Sequence, residues 1–188
     1  MEKKLYSLYA LLWIDRESEK EIANVLINKC GVEKEHIQRG MHITIYHSRR
    51  KLEGLKHETI YESIKADVAE TWFMVFAPGG ENSRKDIVPN KRPVGIRLTK
   101  RNIAIPRLLK LRRSFFKYEN DYVLSNRRQR TSDWKNAFGS SHFQAHIVMI
   151  RPGSNIDKNL TSIGKVFRKE LKYIYFNKFE IKERLKTE

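Results

Sequence analysis

Two short apolar stretches, each with a histidine in its second position, constrain this chain more than any other feature. The first reads Met-His-Ile-Thr-Ile over residues 41–45, and the second reads Ala-His-Ile-Val-Met over residues 145–149. Successive side chains of a β-strand point to opposite faces of the sheet. Each stretch therefore predicts a strand with an apolar back and a front that carries an imidazole, from His42 in the first and His146 in the second.

The same alternation assigns further side chains to the two fronts. On the first strand it places Thr44, Tyr46 and Ser48 beside His42, and it turns His47 toward the apolar back. On the second strand the residues that share the face of His146 are His142, Gln144 and Val148. We expect the two fronts to meet across a cleft and to hold a phosphodiester between the two histidines.

The rest of the chain reads as strands and helices of a single α+β domain of 188 residues. The ranges predicted as strands are 5–14, 72–76, 94–99 and 173–182. The ranges predicted as helices are 18–29, 58–69, 157–171 and a segment that starts near Pro106. Ser18 and Glu21 form a capping-box pattern for the first helix. Residues 79–92 read as a loop, and residues 119–141 read as a basic, partly irregular connection.

The order strand, helix, histidine strand occurs twice, at residues 5–48 and at 94–150. This repetition predicts two similar halves, residues 1–90 and 91–188, each with one histidine strand. Two such halves would place the two histidines in equivalent positions on either side of the cleft.

The charge of the chain narrows the class of ligand. Lys and Arg number 38 against 22 Asp and Glu, which gives a formal net charge of +16. Such a field attracts polyanions, and it favours a ligand that carries phosphate.

Cysteine usage and hydropathy point to a compartment. Cys30 is the single cysteine, so an intrachain disulfide cannot form, which fits a reducing cytoplasm. The chain contains no run of 18 apolar residues, and its first residues lack the pattern of a signal peptide. We therefore expect a cytoplasmic protein without a membrane span, and a monomer.

Two histidines suffice for cleavage of a phosphodiester by an adjacent ribose hydroxyl. One takes the hydroxyl proton and the other protonates the leaving oxygen, because histidine, with a reference pKa of about 6.5, exists in both protonation states near neutrality. A hydroxyl two residues along the strand, that of Thr44, lies on the same face and is placed to bind a phosphoryl oxygen. The sequence patterns of a phosphate-binding loop, a zinc site and a hydrolase elbow are absent, so no cofactor or metal is expected.

The paired strands resemble the signature of the 2H phosphoesterase superfamily, the 2′-5′ RNA ligase-like and cyclic phosphodiesterase enzymes. That signature is two copies of hydrophobic-x-His-hydrophobic-Thr/Ser-hydrophobic. Residues 42–45 match the first copy, and residues 146–149 match the second except that Val148 replaces the hydroxyl residue. The resemblance implies a bilobal fold with antiparallel sheets around a central cleft, a metal-independent phosphodiesterase, and an acid/base pair formed by His42 and His146. It also implies that Thr44 binds phosphate.

Valine offers no hydrogen bond to a phosphate, so the second motif needs another donor or loses catalytic power. Gln144 is the predicted substitute, and Arg97 and Tyr46 are further candidates for substrate binding. Gln144 and Arg97 can equally be solvated strand residues, and Tyr46 can equally be a half-buried strand residue.

Two functions remain open at this stage. The first is a phosphodiesterase acting on RNA or on linear or cyclic oligonucleotides, in RNA end processing or in degradation of a nucleotide immune messenger. The second is a non-catalytic RNA- or nucleotide-binding module on the same fold, which Val148 favours.

Overall fold

The computed structural model describes residues 4–48, 58–76, 92–126, 143–154 and 160–186. The strands in these ranges are β1 (Lys4–Ile14), β2 (His42–His47), β3 (Glu58–Asp67), β4 (Thr71–Val75), β5 (Val94–Leu98), β6 (His146–Ile150) and β7 (Tyr173–Lys186). The helices are α1 (Arg16–Asn28), α2 (Ile105–Asn126) and α3 (Leu160–Glu170), and a short 3-10 turn covers Lys34–His36. Most of the predicted 79–92 loop and His142 lie outside the described residues.

The strands form two antiparallel sheets, in the order β2–β1–β7–β3 and β4–β5–β6. This confirms the predicted α+β class with antiparallel sheets. The repeated unit is visible, because β1–α1–β2 and β5–α2–β6 each form an antiparallel strand pair joined by a helix. The sheets do not coincide with the two sequence halves, however, since β7 lies between β1 and β3, and β4 pairs with β5.

One continuous hydrophobic core joins the backs of both sheets to the helices. Its completely buried side chains include Leu12 and Ile43 from the first sheet, Ile96 and Ile147 from the second, and Leu108 from α2. Burial of each such side chain contributes about 1.5–3 kcal/mol to folding. The core therefore fixes the backs of both histidine strands and leaves their fronts for a site.

The first helix begins at a different cap from the one predicted. Asp15 is the N-cap, and its Oδ1 accepts a hydrogen bond from the backbone N–H of Ser18 at 2.7 Å. The Ser18 hydroxyl instead accepts from the backbone N–H of Tyr175 at 3.0 Å, which ties α1 to β7. The capping-box prediction was wrong because the helix begins three residues earlier, where the Asp15 carboxylate caps it, so Ser18 lies within the first turn.

The predicted helix at 58–69 was also wrong, because residues Glu58–Asp67 form β3. Ile64, Ala66 and Val68 are buried at every second position, which is the period of a strand. The start of the segment hides this period, since Ile60 and Tyr61 are both exposed. Pairing with β7, more than a hundred residues away in the chain, decides the conformation.

The second helix is longer than predicted and reaches Asn126. Residues 119–126, expected in the irregular connection, are therefore helical, whereas 127–142 lie outside the described residues. Leu108 and Arg112 are both buried on the helix face turned toward the core.

None of the helices in the described part of the chain combines the length and the apolar character needed to cross a bilayer.

Candidate active site

The chain segment before β2 brings the two histidine strands together. Ile37 forms an antiparallel bridge with Ile150, and the backbone N–H of Gln38 donates to the carbonyl of Met149 at 2.8 Å. The chain then turns at Gly40, whose φ of 66° is a left-handed conformation that favours glycine, and enters β2. The segment thus connects the outer edge of the second sheet to the outer edge of the first, because β6 and β2 are edge strands.

The fronts of β2 and β6 line one small cavity of 220 Å³. The side chains and backbone around it belong to Gln38, Gly40, His42, Thr44, His146 and Val148. Three of the predicted site residues, His42, Thr44 and His146, are therefore brought together, although 102 to 104 residues separate the strands in sequence. Val148, the departure from the family signature, lies in the same cavity.

The two imidazoles are held in the same way. His42 Nδ1 lies 2.9 Å from the carbonyl oxygen of Gly40, and His146 Nδ1 lies 2.8 Å from that of Gln144. A carbonyl oxygen only accepts, so each Nδ1 carries the hydrogen in this contact. With the hydrogen on Nδ1, Nε2 of each neutral ring is the nitrogen that carries the lone pair.

An aromatic ring packs against each histidine. The ring centroids of Trp13 and His42 lie 4.9 Å apart, and those of Phe76 and His146 lie 4.7 Å apart. Each histidine thus has a backbone carbonyl at Nδ1 and a packed ring, which comes from the neighbouring strand β1 for His42 and from the residue after β4 for His146. The two hydrogen bonds correspond, since each carbonyl lies two residues before its histidine, whereas Phe76 lies outside the repeated unit of residues 94–150.

Tyr46 does not belong to the front of β2, contrary to the sequence prediction. Leu11 pairs with Thr44 while Ala10 pairs with Tyr46, so Ile45 is an extra residue in a β-bulge. The bulge reverses the alternation, and both Ile45 and Tyr46 are buried on the back. It also turns His47 to the front, where its ring lies 6.2 Å from that of Tyr9, so the prediction that His47 faces the back was wrong too.

A buried polar cluster from α2 holds this bulge. Arg112 Nη1 donates to the carbonyl of Ile45 at 2.6 Å. The Glu119 carboxylate accepts hydrogen bonds from the hydroxyls of Tyr46 and Ser48, the second at 2.7 Å. Burial lowers the pKa of the Arg112 guanidinium below its ordinary value, against an opposing effect of Tyr46. Ser48, which was predicted at the front, is therefore buried on the back as well.

Thr44 keeps its predicted place, and its Oγ1 lies 3.4 Å from the hydroxyl of Tyr9. Arg97 and Gln144 do not reach the histidine cavity. Arg97 is the cross-strand neighbour of His146, but it lines an adjoining cavity, as Gln144 does. Gln144 contributes to the site through its backbone carbonyl, which holds His146.

Sequence reasoning missed Gln38 and Gly40, which line the histidine cavity. The available signal was the spacing, since Gly40 precedes His42 by two residues just as Gln144 precedes His146.

Sequence reasoning also missed the aromatic face of Trp13, which lies near two lysines on the front of β7. Lys178 and Lys182 are 5.3 Å and 5.9 Å from its ring centre.

Glu180 lies between these two lysines in β7 and is hydrogen-bonded to Trp13. Its carboxylate accepts from Trp13 Nε1 at 3.1 Å and from Lys182 Nζ at 2.9 Å. Partial burial by itself raises the pKa of Glu180. The hydrogen bond and charge of Lys182, the hydrogen bond of Trp13 and the charge of Lys178 lower this pKa by more, so it lies below its ordinary value.

Other reactive side chains lie outside the cavity. Burial, aided by the charge of Glu170, raises the pKa of the Cys30 thiol, which disfavours the thiolate. Within the described ranges, one group of side chains is close enough to share a metal ion, formed by Glu33, Glu35 and His36. Its carboxylates are exposed on the surface, and Glu33 pairs with His36 at 3.1 Å.

Comparison of the chain with protein-family models, with curated proteins and with solved structures finds no match. The resemblance to the 2H phosphoesterases therefore rests on the sequence motifs at residues 42–45 and 146–149.

Proposed function

We propose that the chain is a phosphodiesterase that cleaves RNA or an oligonucleotide by acid–base catalysis with His42 and His146. The observation that carries this proposal is the matched presentation of the two imidazoles in one cavity, each with Nδ1 bonded to a backbone carbonyl. Fixed tautomers of this kind leave Nε2 of one ring to act as base and Nε2 of the other to act as acid.

The reaction follows from this arrangement. One Nε2 removes the proton of the attacking hydroxyl, and its oxygen attacks phosphorus. That hydroxyl is the ribose 2′-OH next to a 3′-5′ linkage, the 3′-OH next to a 2′-5′ linkage, or a water molecule for a 2′,3′-cyclic phosphate. The bond from phosphorus to the leaving oxygen breaks, and that oxygen takes the proton carried by the other Nε2. Each proton transfer accounts for about 10² to 10⁴ in rate. The orientation of the substrate determines which histidine serves as base.

The phosphate needs neutral or cationic donors inside the cavity. Thr44 supplies a hydroxyl from β2, as the family resemblance implies. Gln38 supplies an amide on the side of Val148, because its backbone N–H bonds Met149, the next residue of β6. One N–H of that amide donates to the carbonyl of Arg39 at 2.7 Å, and an amide NH₂ has a second to offer. Gln38 thus takes over the role first considered for Gln144.

The test is a turnover screen in the presence of EDTA. The substrates are 2′,3′-cyclic nucleotides, 2′-5′ and 3′-5′ oligoribonucleotides, and cyclic di- and trinucleotides. Wild type is compared with the double variant His42→Ala/His146→Ala and with His36→Ala, a histidine outside the cavity. We expect wild type and His36→Ala to cleave one substrate class with a bell-shaped pH–rate profile, and the double variant to be inactive.

Equal residual cleavage by wild type and the double variant would contradict the assignment of the two histidines. Gln38→Ala provides a further arm, and we expect its kcat/KM to fall by about tenfold, the effect of one lost hydrogen bond to a charged group. Unchanged kcat/KM in Gln38→Ala would remove the amide from the phosphate site.

A second function is favoured by one specific observation, the presence of Val148 in the cavity. A binding module that lost turnover would still bind oligonucleotides, with an affinity that falls steeply with salt. Absence of cleavage across the panel combined with tight RNA binding would identify this function. For either function, the single cysteine supports a place in the cytoplasm.

A further inference from the structure

The front of the second sheet continues away from His146 as a row of side chains. Arg97 on β5 is the cross-strand partner of His146, and Trp72 on β4 is the partner of Arg97. Opposite residues of antiparallel strands share a face. The Trp72 side chain is 64% exposed, so its ring is accessible to a ligand on this face.

A second cavity, of 700 Å³, opens along this row. Its apolar surface comes from Trp72, Phe143 and Leu109, and its cations are Arg97, Lys100 and Arg101. The volume lies within the range of about 300–1,000 Å³ typical of ligand pockets. The one acidic group that lines the cavity, Glu70, accepts a hydrogen bond from the Thr99 hydroxyl at 2.6 Å.

A shallow groove of 480 Å³ continues from this cavity over α2, and the two share Leu109. Its cations are Lys110, Arg113 and Lys117, which the spacing i, i+3, i+7 puts on one helix face. They extend over about 10 Å of helix. We call the second cavity and this groove together the basic track.

Within the part of the chain that the structure describes, none of the cations of the basic track forms an ion pair with a carboxylate. Arg107, on the same helix, shows the contrast, because it pairs with Glu62. Six cations in a row, beside an aromatic face, match the regular charge and exposed bases of a single-stranded nucleic acid.

We propose that the substrate is a single-stranded RNA that leaves the histidine cavity on the His146 side, places one nucleotide in the second cavity, and lays its backbone along α2. The inference rests on the proposed function and names its substrate class. Stacking on Trp72 favours an unpaired strand, since bases of a duplex are not exposed for stacking. A cyclic dinucleotide carries only two phosphates for the six cations of the basic track.

The test uses oligoribonucleotides of two, four and eight residues with the same scissile step. We expect kcat/KM of wild type to rise with length. In the variant Lys110→Gln/Arg113→Gln/Lys117→Gln, the ratio of kcat/KM for the octamer to that for the dimer should fall by about tenfold or more. The slope of log affinity against log salt concentration should also decrease by about 2, as expected for the loss of three phosphate contacts on a single strand. Trp72→Ala should weaken binding of the tetramer by about tenfold.

The control is Lys20→Gln/Lys29→Gln/Lys34→Gln, which removes the same charge from exposed positions outside the three cavities. It should keep the length dependence. A length dependence lost equally in both triple variants, or absent from wild type, would overturn the basic track while leaving the proposed cleavage intact. Binding of the same oligonucleotides to His42→Ala/His146→Ala measures the contribution of the basic track to affinity in the absence of turnover. A wrong assignment of the histidines and a wrong assignment of the basic track can therefore be distinguished.

Discussion

At the scale of single residues, the two imidazoles of the site are oriented by backbone carbonyls. Gly40 and Gln144 hold the two imidazoles through their carbonyls, and neither needs a particular side chain for this. Gly40 is nevertheless constrained, because it adopts φ of 66° and an added Cβ would lie 3.1 Å from the Trp13 ring. The same ring packs on His42.

Tyr46 provides a test of the corrected assignment. Tyr46→Phe removes one of two hydroxyl donors from the buried Glu119 carboxylate. We expect the free energy of unfolding to fall by about 1–3 kcal/mol, while KM and kcat of the folded protein stay unchanged. The measurement pairs chemical denaturation with steady-state kinetics, and Tyr118→Phe, an exposed tyrosine, is the control. A raised KM at unchanged stability would return Tyr46 to the substrate site.

The lowered pKa of Glu180 predicts a pH dependence. A carboxyl whose pKa is lower in the folded state stabilises the fold above its unfolded-state pKa of about 4.3, and this contribution is lost as the pH falls through the folded value. The difference in unfolding free energy between wild type and Glu180→Gln should therefore be constant near neutral pH and shrink as the pH falls below about 4.3, by up to about 1 kcal/mol. Denaturation curves of both proteins across this range measure it, and a constant difference would show that Glu180 has no such role.

At the scale of elements, the bulge in β2 and the helix α2 act as one unit. The extra residue Ile45 reverses the strand's faces, and Arg112 and Glu119 from α2 bond the backbone and side chains that the bulge turns inward. This explains why strict alternation predicted Thr44 correctly and failed from Tyr46 onward. A bulge depends on a partner strand and a covering helix, and neither is visible in a window of six residues.

Gly95 leaves no room for a side chain between β5 and β6, the strand of His146. A Cβ at this position would lie 1.9 Å from the carbonyl oxygen of Ile147. We expect Gly95→Ala to push the two strands apart, to destabilise the fold by about 1–3 kcal/mol or more, and to reduce turnover per folded molecule because His146 moves.

Gly31→Ala is the matched control, since φ there is 71° but nothing lies within 4 Å of the added Cβ. It should cost about 1–2 kcal/mol of stability through backbone strain and leave turnover per folded molecule unchanged. Equal effects of both glycine variants on turnover would contradict the role of the β5–β6 contact. Thermal unfolding and kinetics on the same samples supply both quantities.

At the scale of the whole molecule, the two sheets exchange strands between the sequence halves. The second half supplies β7 to the centre of the first sheet, and the first half supplies β4 to the second sheet. Fragments 1–90 and 91–188, produced separately, should therefore each lack a native sheet. Circular dichroism and heteronuclear NMR of the fragments measure this, and a cooperative unfolding transition in either fragment alone would contradict it.

The sequence by itself determined the two histidine strands, their apolar backs, the β–α–β repeat and the positive charge of the surface. These features are local or compositional, so period and residue type are enough to read them. Tertiary structure decided the rest. Pairing with β7 made residues 58–67 a strand, α2 stabilised the bulge that buries Tyr46, and the Ile37–Gln38 contact with β6 brought His42 and His146 into one cavity. Each depends on contacts between residues far apart in the chain, whose free energy exists only once the partner is in place.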